Sequence, residues 1–109
     1  MEKLTLEKMA VMAFATLSSA REALFTAAEN TIEAQSALDA DKAAAVNAGK
    51  FDGKNAEIRE AQAREYLSGQ HDAVSECGRK ERAARYKLDA AQIDVDTVKT
   101  LLRIAELTD

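Results

Sequence analysis

Proline and tryptophan are absent from this chain, cysteine and histidine occur once each, and only three phenylalanines and two tyrosines supply aromatic rings. Each scarcity excludes something. Cys77 on its own cannot form an internal disulfide, and one cysteine with one histidine cannot complete a zinc site. With no proline, nothing forces a helix to stop except glycine, and the four glycines (Gly49, Gly53, Gly69 and Gly78) all fall between positions 49 and 78. What remains is 47% hydrophobic and 31% charged over 109 residues. That apolar content is too high for a disordered chain, and charge recurs too often for a membrane span. The length suits a single domain, residues 1–109. A formal net charge of −4 argues against a constitutive nucleic-acid binder while leaving room for a local basic patch.

Alanine, the strongest helix former, recurs on both sides of the glycine-bearing region. The pattern predicts an all-α antiparallel helical hairpin, a coiled coil whose second arm is kinked or broken. The first helix is expected over about 4–48 and a turn over 49–55, with Asn55 as N-cap and Gly49 and Gly53 free to take positive φ. A short helix is expected over about 56–67 and a long one over about 72–107. Ser68-Gly69-Gln70-His71 forms the break, Asp72 caps the restart, and a kinked continuous helix is the close alternative. At about 1.5 Å per residue the first helix would run roughly 65 Å.

Heptad spacing supports this reading. A 4-3 ladder runs Leu6, Ala10, Ala13, Leu17, Ala20, Leu24, Ala27, Thr31, Ala34, Leu38. The returning arm repeats it from Ala63 and Leu67 through Gln70, Val74, Cys77, Glu81, Ala84, Leu88, Ala91, Val95 and Val98 to Leu102 and Ala105. Such spacing is the mark of a coiled-coil seam. Gln70 and Glu81 are polar on that seam, where they either fix the register or mark residues 68–82 as the least stable stretch.

A second apolar stripe accompanies each long helix. At 100° per residue Leu4, Val11, Phe14, Phe25 and Ile32 fall within about 80° of one another, away from the seam. Tyr86, Ile93, Leu101 and Ile104 do the same on the last helix. Two helices can cover one stripe each, so the others await a partner or the middle helix. Self-association into a helical bundle of two or more copies is the expectation, with Val11, Phe14, Phe25, Ile32, Tyr86, Ile93, Leu101 and Ile104 at the oligomer interface.

The N-terminus imitates a secretory signal, since Met9–Leu17 is largely apolar and Ser18-Ser19-Ala20 offers small residues. Glu2 and Glu7 spoil its basic region, and the Leu6–Leu17–Leu24 ladder crosses the apparent cleavage point. Phe51-Asp52-Gly53 at mid-chain also resembles the turn of small secreted Trp-x-Gly hairpins, without their tryptophan or their C-terminal tyrosine-acidic signal.

Convergent chemistry is hard to find. His71, in the expected break beside Asp72 and Ser68, reads as a solvated or capping residue. Cys77 reads as a small hydrophobe on the seam, although Arg79 and Lys80 would lower its pKa if it were exposed. A bundle di-metal site would need Glu-x-x-His repeats, and Gly49–Lys54 has neither Walker spacing nor a preceding strand. No catalytic residue, metal or cofactor is expected.

The segment Arg79-Lys80-Glu81-Arg82-Ala83-Ala84-Arg85-Tyr86-Lys87 holds five basic residues and one acidic one. Arg79, Lys80, Arg82, Arg85 and Lys87 are the candidate partner-binding residues, for an acidic protein or, as the alternative, a nucleic-acid backbone. Glu76–Lys80 and Glu81–Arg85 have the order that favours i,i+4 pairing, so a solvated, internally paired face competes with both.

Gly53-Lys54-Asn55-Ala56-Glu57-Ile58-Arg59-Glu60-Ala61-Gln62 resembles the glycine-lysine-asparagine turn and Glu/Arg/Ala/Gln helix of small helical-hairpin accessory proteins of tailed phages and prophages. Those also end in a charged helix with a finish like Leu101-Leu102-Arg103. The resemblance implies an accessory protein acting in the host cytoplasm, a recombination helper or an inhibitor of a host factor, and it carries over no catalytic residue. The expected function is accordingly non-enzymatic: an oligomeric, cytoplasmic protein-interaction module with no membrane contact.

Overall fold

The computed structural model describes residues 2–108, and they are helical almost throughout: α1 is Lys3–Asn47, α2 is Ala56–Tyr66 and α3 is Ser68–Thr108. The all-α class holds, with α1 packed against α3 and no strand among the described residues. The chain divides into two compact units. One comprises residues 1–26 with 82–109, the other residues 27–81.

In the first unit the start of α1 lies antiparallel to the end of α3. Leu17 packs with Ala91 and Val95, flanked by Ala13, Ala20 and Leu88. Leu6 and Val98 are buried further along the same seam. These are the ladder positions, spaced so that one stripe per helix faces the other. Each buried leucine or valine contributes roughly 1.5–3 kcal/mol. Alanine alternates with larger residues along the seam, and no other residue of this unit is buried among the described residues.

The second unit holds the rest of α1, the connecting loop, α2 and the start of α3. Its buried residues are Leu38, Ala45, Ala63 and Leu67. α1 ends in a Schellman motif: Gly49 adopts φ +70°, its N–H donates to Val46 O, and the Lys50 N–H donates to Ala45 O (both 3.0 Å). Asn55 then caps α2, its side-chain oxygen accepting from the Ile58 N–H at 2.9 Å.

Gly53 differs from expectation, because it does not take positive φ. Its role is close approach. The Gly53 N–H donates to Gln62 Oε1 (2.9 Å), Arg59 Nη1 donates to the Gly53 carbonyl (3.0 Å), and Gln62 Nε2 donates to Asp52 Oδ1 (3.1 Å). A Cβ on Gly53 would stand 2.5 Å from Ile58 Cγ2. Phe51 closes the loop edge-on against Tyr66, with ring centroids 5.8 Å apart.

The expected break at 68–71 and restart at Asp72 are not found. Only Leu67 leaves helical geometry (φ −103°, ψ 22°), and α3 begins at Ser68, running through Gly69 and His71. The hydrogen-bond ladder crosses this point, with Leu67 N–H to Ala63 O at 3.0 Å and His71 N–H to Leu67 O at 2.9 Å. Leu67 is 0% exposed, and the seam residues on either side hold the helix over the weak formers that follow. The short and the long helix are therefore both present as expected, but the break between them is one residue, Leu67, and the restart comes four residues before Asp72.

Gln70 is half-buried on the seam, and its Nε2 donates to Asp41 Oδ2 of α1 at 3.1 Å. Asp41 continues the α1 ladder past Leu38, a step the sequence ladder omitted. The seam threonine Thr31 satisfies its hydroxyl on Ala27 O at 3.1 Å.

Candidate interaction surfaces

Each of the eight residues expected at an oligomer interface is exposed. In the first unit, Val11, Phe14 and Phe25 stand out from α1, and Tyr86, Ile93, Leu101 and Ile104 from α3. Phe25 is 68% exposed, Tyr86 74% and Ile93 64%. Ile32 belongs to the second unit and is exposed there. The middle helix carries exposed Ile58 and Tyr66 of its own.

Phe14 sits nearest the seam. Lys99 Nζ of α3 stands 5.4 Å from its ring centroid, and the ring is 47% exposed. The contact ties the edge of the α1 stripe to α3 by a cation–π attraction of about 0.5–1 kcal/mol at an exposed site. Sequence inspection missed it because it depends on which residues of two antiparallel helices come level. Leu107, also exposed and apolar, extends the α3 stripe beyond the residues singled out, and Met12 is exposed to one side of the α1 stripe.

The outer face of α3 has finer order. Ala83 and Ala90 are seven residues apart, as are Tyr86 and Ile93, so small and large side chains form two adjacent columns on its solvent side. Thr97 and Thr100 continue the spacing, their hydroxyls donating to Ile93 O (2.9 Å) and Asp96 O (3.0 Å). The columns repeat the 3-4 spacing of the seam on the opposite side of the helix.

The basic segment divides between the units. Arg79 is occupied: its guanidinium forks onto the Glu76 carboxylate, with Nε to Oε2 at 3.0 Å. That hydrogen bond is the chief reason the Glu76 carboxyl is held below its ordinary 4.5. Desolvation opposes it, and the charges of Arg79 and then Lys80 add further lowering. The same pair raises Arg79. Glu76 thus takes Arg79 at i,i+3, where i,i+4 spacing had suggested Lys80. Neither Glu81 nor Arg85 is without a partner. Arg82 and Lys87, in the first unit, are exposed and make no ion pair among the described residues.

His71 is exposed on α3, and Cys77 is a half-buried free thiol on the seam. No group of three or more His, Cys, Asp or Glu residues able to hold a metal occurs among the described residues. No described helix is long and apolar enough to cross a membrane. No protein-family model, curated protein or solved structure matches the chain.

Proposed function

We propose that this chain is a non-enzymatic interaction protein that self-associates through the outer apolar faces of α1 and α3 and offers its charged faces to another protein. The observation that carries this reading is the double use of each long helix. One stripe is consumed by the α1–α3 seam, and a second, with Phe25, Tyr86 and Ile93 largely exposed, is left over. Single exposed hydrophobes are ordinary, whereas columns of them at seam spacing are what helices inside larger bundles carry.

The resemblance of the Gly53–Gln62 turn adds a context: an accessory protein of a phage or prophage, acting in the host cytoplasm on recombination or on a host factor. Hydrogen bonds give Gly53, Asn55, Arg59 and Gln62 of that stretch a structural task, so the resemblance supports shared architecture most directly. Absolute mass from light scattering on a sizing column tests the reading. The wild-type chain is expected to elute above its 11.8 kDa monomer mass, and Phe14→Glu or Ile93→Glu to lower the mass. Unchanged mass in both variants would overturn it.

A second reading, binding of a nucleic-acid backbone through Arg79, Lys80, Arg82, Arg85 and Lys87, draws support from the exposed Arg82 and Lys87. It requires binding at low ionic strength that weakens steeply with salt and is lost when Arg79, Arg82 and Arg85 become alanine. Absence of binding at low salt removes it.

A further inference from the structure

The outer columns of α3 specify more than a sticky face. We propose that two copies of the chain meet α3 to α3, antiparallel, about a two-fold axis passing level with Leu88, so that the Ala83/Ala90 column of each packs against the Tyr86/Ile93 column of the other. The proposal rests on the self-association reading and names its contact.

Two features of the face choose this arrangement. The first is size. A parallel pair would stack alanine on alanine and tyrosine on tyrosine, giving layers of unequal thickness that one helix spacing cannot satisfy. The antiparallel pair sets every large side chain against a small one: Tyr86 against the partner's Ala90, and Ile93 against the partner's Ala83. Helices packed in this way approach closely with few voids, the device that the seam itself uses.

The second feature is charge. Arg82, Asp89 and Asp96 border one edge of the columns, and Lys87 and Asp94 border the other. In a parallel pair Arg82 would face the partner's Lys87, and Asp89 the partner's Asp94, so every facing pair repels. In the antiparallel pair Arg82 faces the partner's Asp96, once on each side of the axis. Asp96 accepts from Gln92 Nε2 through Oδ1 at 3.1 Å, which leaves Oδ2 for a second donor. Like charges meet only on the axis, where Lys87 and Asp89 each approach their own copies. Sliding by one heptad in one direction brings Arg82 against the partner's Arg103. Sliding in the other brings Ile93 against the partner's Glu76, already engaged by Arg79. Charge and side-chain volume therefore select the same register.

The contact spans about four turns of helix, near 20 Å. That is less than a standard stable interface of about 800 Å² per partner would use, so association through it is expected to be reversible and concentration-dependent. It leaves the α1 stripe of Val11 and Phe25 uncovered, so further copies can add there.

Two experiments on the full chain test this, both in a Cys77→Ala background. In the first, chains carrying Tyr86→Cys are mixed with chains carrying Ala90→Cys and oxidised. The expected product is the 86–90 heterodimer, well above the half of all cross-links that random pairing would give. Predominant homodimer cross-links, or a statistical mixture, overturn the antiparallel register.

In the second, Arg82→Asp and Asp96→Arg are each expected to weaken association about 10-fold by sedimentation, two pairs being lost and made repulsive. Mixing the two variants, or combining both changes in one chain, should restore it. Failure of that rescue overturns the proposal. A chain that self-associates through Phe14 but ignores changes at 82, 86, 93 and 96 keeps the broader reading and refutes this contact. A chain monomeric at every concentration refutes both.

Discussion

Gly53→Ala and Gly69→Ala are the same chemical change with opposite expected signs. In the loop, a Cβ at position 53 would lie 2.5 Å from Ile58 Cγ2, 3.0 Å from Ile58 Cβ and 3.0 Å from Gln62 Oε1. Carbon atoms prefer about 3.5–4.0 Å, so the nearest group must yield by about 1 Å. Ile58 cannot simply rotate away, because a β-branched side chain in a helix has one strongly preferred χ1 and its Cβ is fixed to the backbone. Displacing Gln62 instead loosens its bonds to Gly53 and Asp52, worth about 0.5–1.5 kcal/mol each.

Overpacking of this kind costs about 1–3 kcal/mol, while restricting the unfolded chain returns about 0.4–1 kcal/mol. The net expectation for Gly53→Ala is a loss of about 1–2 kcal/mol. At position 69, inside α3, an added Cβ meets nothing within 4 Å and φ is not positive, so alanine should stabilise by about 0.5–1 kcal/mol. Urea denaturation followed by circular dichroism, with m-values compared to confirm a common unfolded state, measures both. A neutral Gly53→Ala, or a destabilising Gly69→Ala, would refute the account of the turn.

Three further outcomes follow from the fold. Leu67→Ala removes a side chain with no exposed surface at the one non-helical residue between α2 and α3, and should destabilise by about 2–5 kcal/mol in the same assay. Asn55→Ala deletes the α2 cap and should lose about 1 kcal/mol, while Asn55→Asp should stay near wild type because a carboxylate also accepts from the Ile58 N–H. Glu76 should titrate below 4.5 by carbon-detected NMR and return toward that value in Arg79→Ala. Its folded-state pKa is depressed, so the small stability it adds is present above 4.5 and fades as pH falls through the folded value.

The ladders were legible because burial in a two-helix seam depends on one residue in three or four, and heptad spacing reports that directly. Leu6, Leu17, Leu38, Leu67, Ala91, Val95 and Val98 are all buried where the spacing put them. The helix ends also fell within a residue or so of expectation at Lys3, Asn47 and Ala56, where Gly49 and Asn55 supply local chemistry that acts over a few residues.

Where the structure differs from expectation, packing and side-chain geometry decide, which local propensity does not report. The expected restart at Asp72 followed from propensity, and the packing of Leu67 with the Gln70–Asp41 bond overrode it. Gly53 reads from the sequence as a conformational glycine, whereas its task is to admit Gln62 and Ile58, nine and five residues away. Of the surfaces, the outward stripes could be read from periodicity. The Arg79–Glu76 pairing and the Lys99–Phe14 contact needed side-chain geometry.

Sedimentation equilibrium of the unmodified chain, from low micromolar to high micromolar concentration, bears most directly on the central claim that the outer faces of α1 and α3 join copies of this protein. Weight-average mass should rise with concentration above 11.8 kDa, and Ile93→Glu should flatten that rise. A mass that stays at the monomer value throughout the range would contradict the claim.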